Sequence, residues 1–240
     1  APVKEIAPDS IGHPGNCWLV SAGKRLHAFF DLQVDSAHPY RPGVYDMYSN
    51  DLGTSWSAPV RVQYLDFPYS HTAHGDTAAY MNSSGCSVCG VVSTTNGGNL
   101  WQSGPPIWGL HTYITLANGA LHLARNPDYW ASGYPQPYVI QYLKSTDLGN
   151  TWADSLYVSS TGSPWSDESV IAADDEADSS TILTAWEDAE IGCLTEVGCS
   201  QIARWSFDNG QTFQPENRLD EHPAGYATVA AVRESTMVVA

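Results

Sequence analysis

Apolar and polar residues alternate along much of this chain with a period near two, the spacing of a strand whose side chains point to opposite faces in turn. Val44-Tyr45-Asp46-Met47-Tyr48, Val139-Ile140-Gln141-Tyr142-Leu143 and Ile202-Ala203-Arg204-Trp205 are such runs. They are rich in the β-branched and aromatic residues that fit a pleated, half-buried surface. Each leads into a few polar and Gly residues. A second extended stretch follows, such as Ala58-Pro59-Val60-Arg61-Val62. Strand, Gly-containing polar turn, strand is a hairpin signal. The pattern predicts an all-β fold with negligible helix.

The turns repeat one another. Ser49-Asn50-Asp51-Leu52-Gly53-Thr54-Ser55-Trp56, Ser145-Thr146-Asp147-Leu148-Gly149-Asn150-Thr151-Trp152 and Ser206-Phe207-Asp208-Asn209-Gly210-Gln211-Thr212-Phe213 share the spelling Ser-x-Asp-x-Gly-x-Ser/Thr-Trp/Phe. A weaker copy, Thr94-Thr95-Asn96-Gly97-Gly98-Asn99-Leu100-Trp101, has Asn for Asp. The carboxylate can accept backbone N–H bonds inside the turn, and the Gly permits a positive φ. The closing aromatic is expected to pack back onto its own sheet.

This repeat resembles the Asp box, or BNR repeat, of the sialidase-like superfamily of β-propellers, which holds sialidases, related glycosidases and several lectins. The resemblance implies a propeller of four-stranded blades. It also implies that the box is scaffold on the face away from the ligand, which makes Asp51, Asp147 and Asp208 structural. Read outward from the boxes, blade one covers about 17–65, blade three 111–158 and blade four 169–219. Blade two is abbreviated: 77–81, 86–93, the weak box and 105–107. Ala1-Pro2-Val3-Lys4-Glu5-Ile6 resembles a strand that follows a box, and Thr236-Met237-Val238-Val239-Ala240 resembles the second strand of a blade. A single propeller domain over 1–240 is expected, with a partial blade shared by the two ends. It either closes as a small five-bladed ring or forms part of a longer propeller, and the greater length of sialidase domains favours the second. An incomplete blade would leave an edge open to self-association.

The formal net charge of −16, with only three lysines, excludes nucleic acid and anionic membrane surfaces as expected partners. No run of about 18 apolar residues is long enough to span a bilayer as a helix. Nine Trp and thirteen Tyr supply rings for both a core and a sugar-binding face. Of the five cysteines, Cys193 and Cys199 are expected to form a disulfide across the loop bounded by Gly192 and Gly198. Cys86 and Cys89 are either bridged or two buried thiols, and Cys17 reads as a buried apolar residue. Disulfides would suit an extracellular or periplasmic location. No cofactor or metal is expected. The acidic tip at 174–178 reads as a solvated hairpin, with calcium its only ion alternative.

In a propeller, the loops leading into each first strand and those joining second to third strands share one face, where binding residues gather. Carboxylates there suit glycoside hydrolysis, and the candidate catalytic residues are Asp76, Asp167, Glu168, Glu187 and Asp188. His74, His111, Trp165, Tyr226, Arg41, Arg125 and Trp130 are the candidate ligand-binding residues: rings cover apolar sugar faces, and polar groups bond hydroxyls. His74, Asp76, His111, Trp165, Asp167, Glu168, Glu187 and Tyr226 are expected to converge on one basin. Sialidases bind the substrate carboxylate with a cluster of arginines, the first in an Arg-Ile-Pro motif. The corresponding strand here reads Asn16-Cys17-Trp18-Leu19, with no arginine, whereas Leu26-His27-Ala28-Phe29 matches the family's next strand. The expectation is a secreted glycoside hydrolase of this superfamily, or a fragment of one, that is not a true sialidase. The other readings are a non-catalytic lectin and a protein-interaction platform.

Overall fold

The computed structural model describes residues 14–32, 42–63, 67–83, 88–127, 139–153, 155–159, 166–174, 180–188, 200–219, 230–233 and 236–239. These hold strands and no helix. Hence no helix among the described residues is long and apolar enough to cross a membrane.

The first sheet is a meander of β1 (Pro14–Ala22), β2 (Arg25–Leu32), β3 (Gly43–Ser49) and β4 (Val60–Gln63). The second is β5 (Phe67–His74), β6 (Thr77–Ser83), β7 (Val88–Thr94) and β8 (Gln102–Trp108). The third is β9 (Leu110–Ala117), β10 (Ala120–Asn126), β11 (Gln141–Ser145) and β12 (Leu156–Tyr157). The fourth is β13 (Ser166–Asp174), β14 (Thr181–Asp188), β15 (Ser200–Ser206) and β16 (Asn217–Arg218). A two-stranded sheet of β17 (Ala230–Arg233) and β18 (Thr236–Val239) comes last. Four four-stranded antiparallel sheets in sequence order are consistent with a propeller-like fold.

The second sheet corrects the sequence reading. Residues 77–81 begin its second strand, not its first. The first strand is β5, which joins β6 through the two-residue turn Gly75-Asp76, with Gly75 at a φ of 55°. Its Ser70-His71-Thr72 run looks like a polar loop, but these residues are buried or half-buried within a paired strand.

The chain divides into two compact units, residues 1–85 with 90–103, and residues 86–89 with 104–240. In the first, Val20, Phe29, Val44, Tyr80 and Val92 form a core. In the second, Ala124, Ile140, Tyr142, Val158, Ile171, Ile182 and Trp186 do so.

The four repeated turns share one backbone geometry. Leu52-Gly53, Gly97-Gly98, Leu148-Gly149 and Asn209-Gly210 all have positive φ, with the second residue of each pair between 79° and 89°. In the three Asp copies the Gly N–H donates to the Ser Oγ at 2.8, 2.7 and 2.9 Å. The carboxylate Oδ1 accepts the Ser55, Thr151 or Thr212 N–H at 2.7 or 2.8 Å, and Oδ2 accepts the same residue's hydroxyl. Asn96 keeps the amide half of this pattern. Its Oδ1 accepts the Leu100 N–H at 3.0 Å, but Leu100 has no hydroxyl to give.

Two turns also lock onto the sheet before them. Gly98 lies against the His27 ring on β2, and Gly210 lies against the Tyr142 hydroxyl on β11, each so closely that a Cβ would clash. The closing aromatics follow. Trp101 meets His27 and Phe29 edge-on, with centroids at 5.8 and 5.0 Å, and donates Nε1–H to Asp46. Phe213 meets Tyr142 at 5.0 Å. The expectation that each closing aromatic packs on its own sheet holds for Trp56, which joins Phe30, Leu32, Tyr45 and Met47. Trp101 meets Tyr80 of its own sheet at 5.9 Å as well as the first sheet, and Phe213 packs on a core that holds Ile171 and Ile182 of its own sheet together with Tyr142.

The surfaces that receive these turns are buried and polar, and each carries a hydrogen bond within its own sheet. His27 Nδ1–H donates to the Asp46 carboxylate at 2.9 Å. At the corresponding place in the third sheet, the Tyr142 hydroxyl and His122 Nδ1 share a 2.6 Å bond, and burial pushes the Tyr142 hydroxyl's pKa up, keeping its proton in place. Gly98→Ala and Gly210→Ala combine overpacking with a strained φ, and each should lower stability by about 2–4 kcal/mol. Urea unfolding of the two variants checks this. Gly75→Ala, whose Cβ would meet nothing within 4 Å, should cost less than either.

Candidate functional site

In a meander, the first-to-second and third-to-fourth connections lie at one end of the sheet, and the second-to-third connection lies at the other. The repeated turns therefore mark one end of each sheet. In the third and fourth sheets, the opposite end gathers polar residues at the strand termini. β10 ends in Arg125-Asn126, β13 begins with Ser166-Asp167-Glu168, β14 ends in Glu187-Asp188, and β15 begins with Ser200-Gln201.

Register brings these together. Ser166 pairs with Asp188 and Asp167 with Glu187, and the register shifts by a bulge between Asp167 and Val170. On the other side of β14, Glu187 pairs with Gln201 and Asp188 with Ser200. Ser166 Oγ–H donates to Asp188 Oδ2 at 3.0 Å, and Asn126 Nδ2–H donates to the Ser166 carbonyl at 3.0 Å. Glu187 is 8% exposed and Asp188 6%. Carboxylates so removed from water persist only where hydrogen bonds or charges compensate them. Strand alternation sends Glu187 and Asp188 to opposite faces of the sheet. Asp188 shares its face with Trp186, whose ring packs with the third sheet's Ala124 and Tyr142.

Of the sequence-predicted residues, Asp167, Glu168, Glu187 and Asp188 thus share one end of one sheet. Asp167 and Glu168 lie within β13 itself rather than on the loop before it, and only their backbone is described. His111 lies in β9 at the corresponding end of the third sheet, beside the Leu110–Asn126 pair. Arg125 is a strand residue. Its guanidinium donates to Gln141 Oε1 and to the Trp108 carbonyl, and burial lowers its pKa.

His74 and Asp76 are placed differently from the expectation. They lie at the β5–β6 hairpin, the end of the second sheet that carries the Asn96 turn. The Gly97 N–H donates to the Asp76 carbonyl at 2.9 Å. The misreading of β5 put them at the wrong end. Nearby on β5, His71 is half-buried, and its pKa falls through loss of solvation. Arg41, Trp130, Trp165 and Tyr226 lie outside the described residues, as do Cys86, Cys193 and Cys199. The Cys89 thiol is buried beside the Gly109 carbonyl. Cys17 is exposed, not buried.

Asn126 and Ser166 were missed. One signal was available: Asn126 stands five residues after Leu121 in β10, as Glu187 stands five after Ile182 in β14, and Leu121 and Ile182 both pair with the first Ser of a turn. The same count in β2 reaches Asp31, which is also buried. Among the described residues, no three His, Cys, Asp or Glu side chains converge in a way that could hold a metal ion.

No family profile and no curated protein matches this chain. Solved structures do. A protein of unknown function from Dyadobacter fermentans is similar over 91% of this chain and 71% of its own, with 14% identity and a TM-score of 0.57. The NanB sialidase of Streptococcus pneumoniae is similar over 99% of this chain and 58% of its own, with 11% identity and a TM-score of 0.55. A K499G mutant of the same sialidase gives 95% and 56%, with 12% identity and a TM-score of 0.50. The chain thus spans little more than half the length of these sialidase chains. At such identities the likeness is one of fold, and the fold is that of a sialidase-like β-propeller.

The turn carboxylates have their own electrostatics. The Ser55 hydroxyl, then the Ser55 amide and the Ser49 hydroxyl, hold Asp51 at a pKa of about 2. Burial alone would raise Asp208, but bonds from Thr212, Ser206 and Gln211 outweigh it and bring it to about 2. Asp147 is lowered in the same way, chiefly by the Thr151 hydroxyl. Folded pKa values below the unfolded value of about 3.9 stabilise the fold above that pH, and the contribution disappears as pH falls towards 2. The combined variant Asp51→Asn, Asp147→Asn, Asp208→Asn should fold, since Asn96 already serves in the fourth turn. Its urea midpoint should change less than that of the parent between pH of about 4 and about 2.

Proposed function

We propose that this chain is a carbohydrate-active Asp-box propeller, acting outside the cytoplasm as a glycoside hydrolase of the sialidase-like superfamily or as part of one. The observation that carries the reading is the end of the fourth sheet. Two nearly buried carboxylates close β14 there, opposite two more at the start of β13, at the end away from the turns. Hydrolysis of a glycosidic bond needs one carboxyl group to protonate the leaving oxygen and another to act as nucleophile or to activate water. Glu187 and Asp188 leave their strand on opposite faces, so they do not form that pair with each other. Glu187 with Asp167, its partner in the register, is the favoured pair, Glu168 follows in the bulge as a further candidate, and Asp188, tied to Ser166, holds the strand ends in place. His111, Arg41, Trp130, Trp165 and Tyr226 would line the sugar-binding surface around them. The lack of an arginine in Asn16-Cys17-Trp18-Leu19 argues for a substrate other than a sialoside.

A second reading is a non-catalytic lectin, which needs the aromatic and polar surface but no acid–base pair. Exposed Trp108 and Tyr157 favour it. Glu187→Gln and Asp167→Asn separate the two. In an enzyme each should lower turnover by on the order of 10²–10⁴-fold while glycan affinity holds. A parent protein that binds glycans and hydrolyses none across neutral and acidic panels is the lectin. One that neither binds nor hydrolyses any glycan overturns the carbohydrate reading.

A further inference from the structure

The carboxylate pair makes no use of the group around Arg125. Its Nε and Nη2 both donate to Gln141 Oε1, at 3.3 and 3.1 Å, and Nη1 donates to the Trp108 carbonyl. Gly109 makes room for this side chain. A Cβ there would stand 2.9 Å from Arg125 Cδ and 2.9 Å from the Asn126 carbonyl oxygen. Of the five N–H donors of a guanidinium, these three bonds leave two. Tyr157 pairs with Gln141 across β11 and β12, and its phenol is close enough to act on the guanidinium charge. The Trp108 and Tyr157 side chains are 53% and 56% exposed. Two largely exposed aromatic residues thus border a cation whose orientation is fixed by Gln141 and by the Trp108 carbonyl of the neighbouring sheet. As a stabilising device this is wasteful, because exposed aromatic surface adds little to folding.

We propose that Trp108, Tyr157 and Arg125 form a second glycan-binding surface that holds an uncharged polysaccharide chain. Rigid rings with few rotamers cover the apolar C–H faces of pyranoses at small entropic cost, and the spare N–H donors meet hydroxyl oxygens. The net charge of −16 makes a polyanionic glycan a poor occupant, since it would be repelled over most of the surface. Such a surface keeps a long substrate at high local concentration near the strand ends. The inference rests on the carbohydrate reading above.

Affinity electrophoresis of the intact protein through gels containing galactomannan, xylan, soluble starch, polygalacturonate or hyaluronate tests it. The parent should be retarded by at least one of the three neutral polymers. Trp108→Ala and Tyr157→Ala, each with an unchanged melting temperature, should weaken that retardation at least tenfold, and Tyr157→Phe should restore most of it. Undiminished retardation of both Ala variants overturns this surface while leaving the carbohydrate reading intact. Retardation by the acidic polymers alone, lost in the same variants, overturns the uncharged occupant. A parent that no polymer retards, although it hydrolyses small glycosides, also overturns the surface. If neither retardation nor hydrolysis occurs, the carbohydrate reading fails with it.

Discussion

The fold depends on how a polar turn is closed and then seated. A Ser hydroxyl and an Asp carboxylate together take up the N–H groups that a tight turn leaves over, and the two consecutive positive-φ residues they enforce carry a glycine outward. In two of the four copies that glycine reaches a buried polar side chain of the preceding sheet, His27 or Tyr142. The chemistry of the turn thus becomes a packing constraint between sheets. A hydrophobic surface alone would allow neighbouring sheets to slide over one another. A glycine fitted against one imidazole or one phenol does not.

The repeat explains how much of the fold was legible in the sequence. Asp51, Asp147 and Asp208 recur at fixed spacing from Ser, Gly and an aromatic, because every bond in the turn is local. Three of the four sheets can be laid out from that landmark. The second sheet could not, because its first strand carries Ser70, His71 and Thr72 where an apolar run would have marked it. One misread strand then moved His74 and Asp76 to the wrong end. That Trp101 and Phe213 also reach the preceding sheet was illegible for a different reason. Contact with a second sheet depends on how neighbouring sheets pack, and composition does not encode that.

The candidate site was legible where a strand end could be read from the sequence. Glu187 and Asp188 stand at the end of a clear apolar run, Ile182 to Trp186, so the point where the strand meets the loop could be read directly. Their division between two faces follows from strand alternation and needed only the register of β13 against β14 to become useful. Asn126 and Ser166 are ordinary polar residues that gain meaning only when β10 and β13 are brought together by the 3.0 Å bond between them. In the fourth sheet the result is a division of labour along the strands. One end closes the turn, and the other carries Glu187 and Asp188, carboxylates whose burial has to be compensated by hydrogen bonds or charges.

That division is the central claim, and amide hydrogen exchange measured with and without a bound glycan tests it most directly. The account predicts that the Gly53, Gly149 and Gly210 amides are protected in the free protein and do not change when glycan is added. Amides around Asp167 and Glu187 should slow. Slowing at the turn glycines, with no change at the ends of β13 and β14, would place the ligand at the turns and contradict the account.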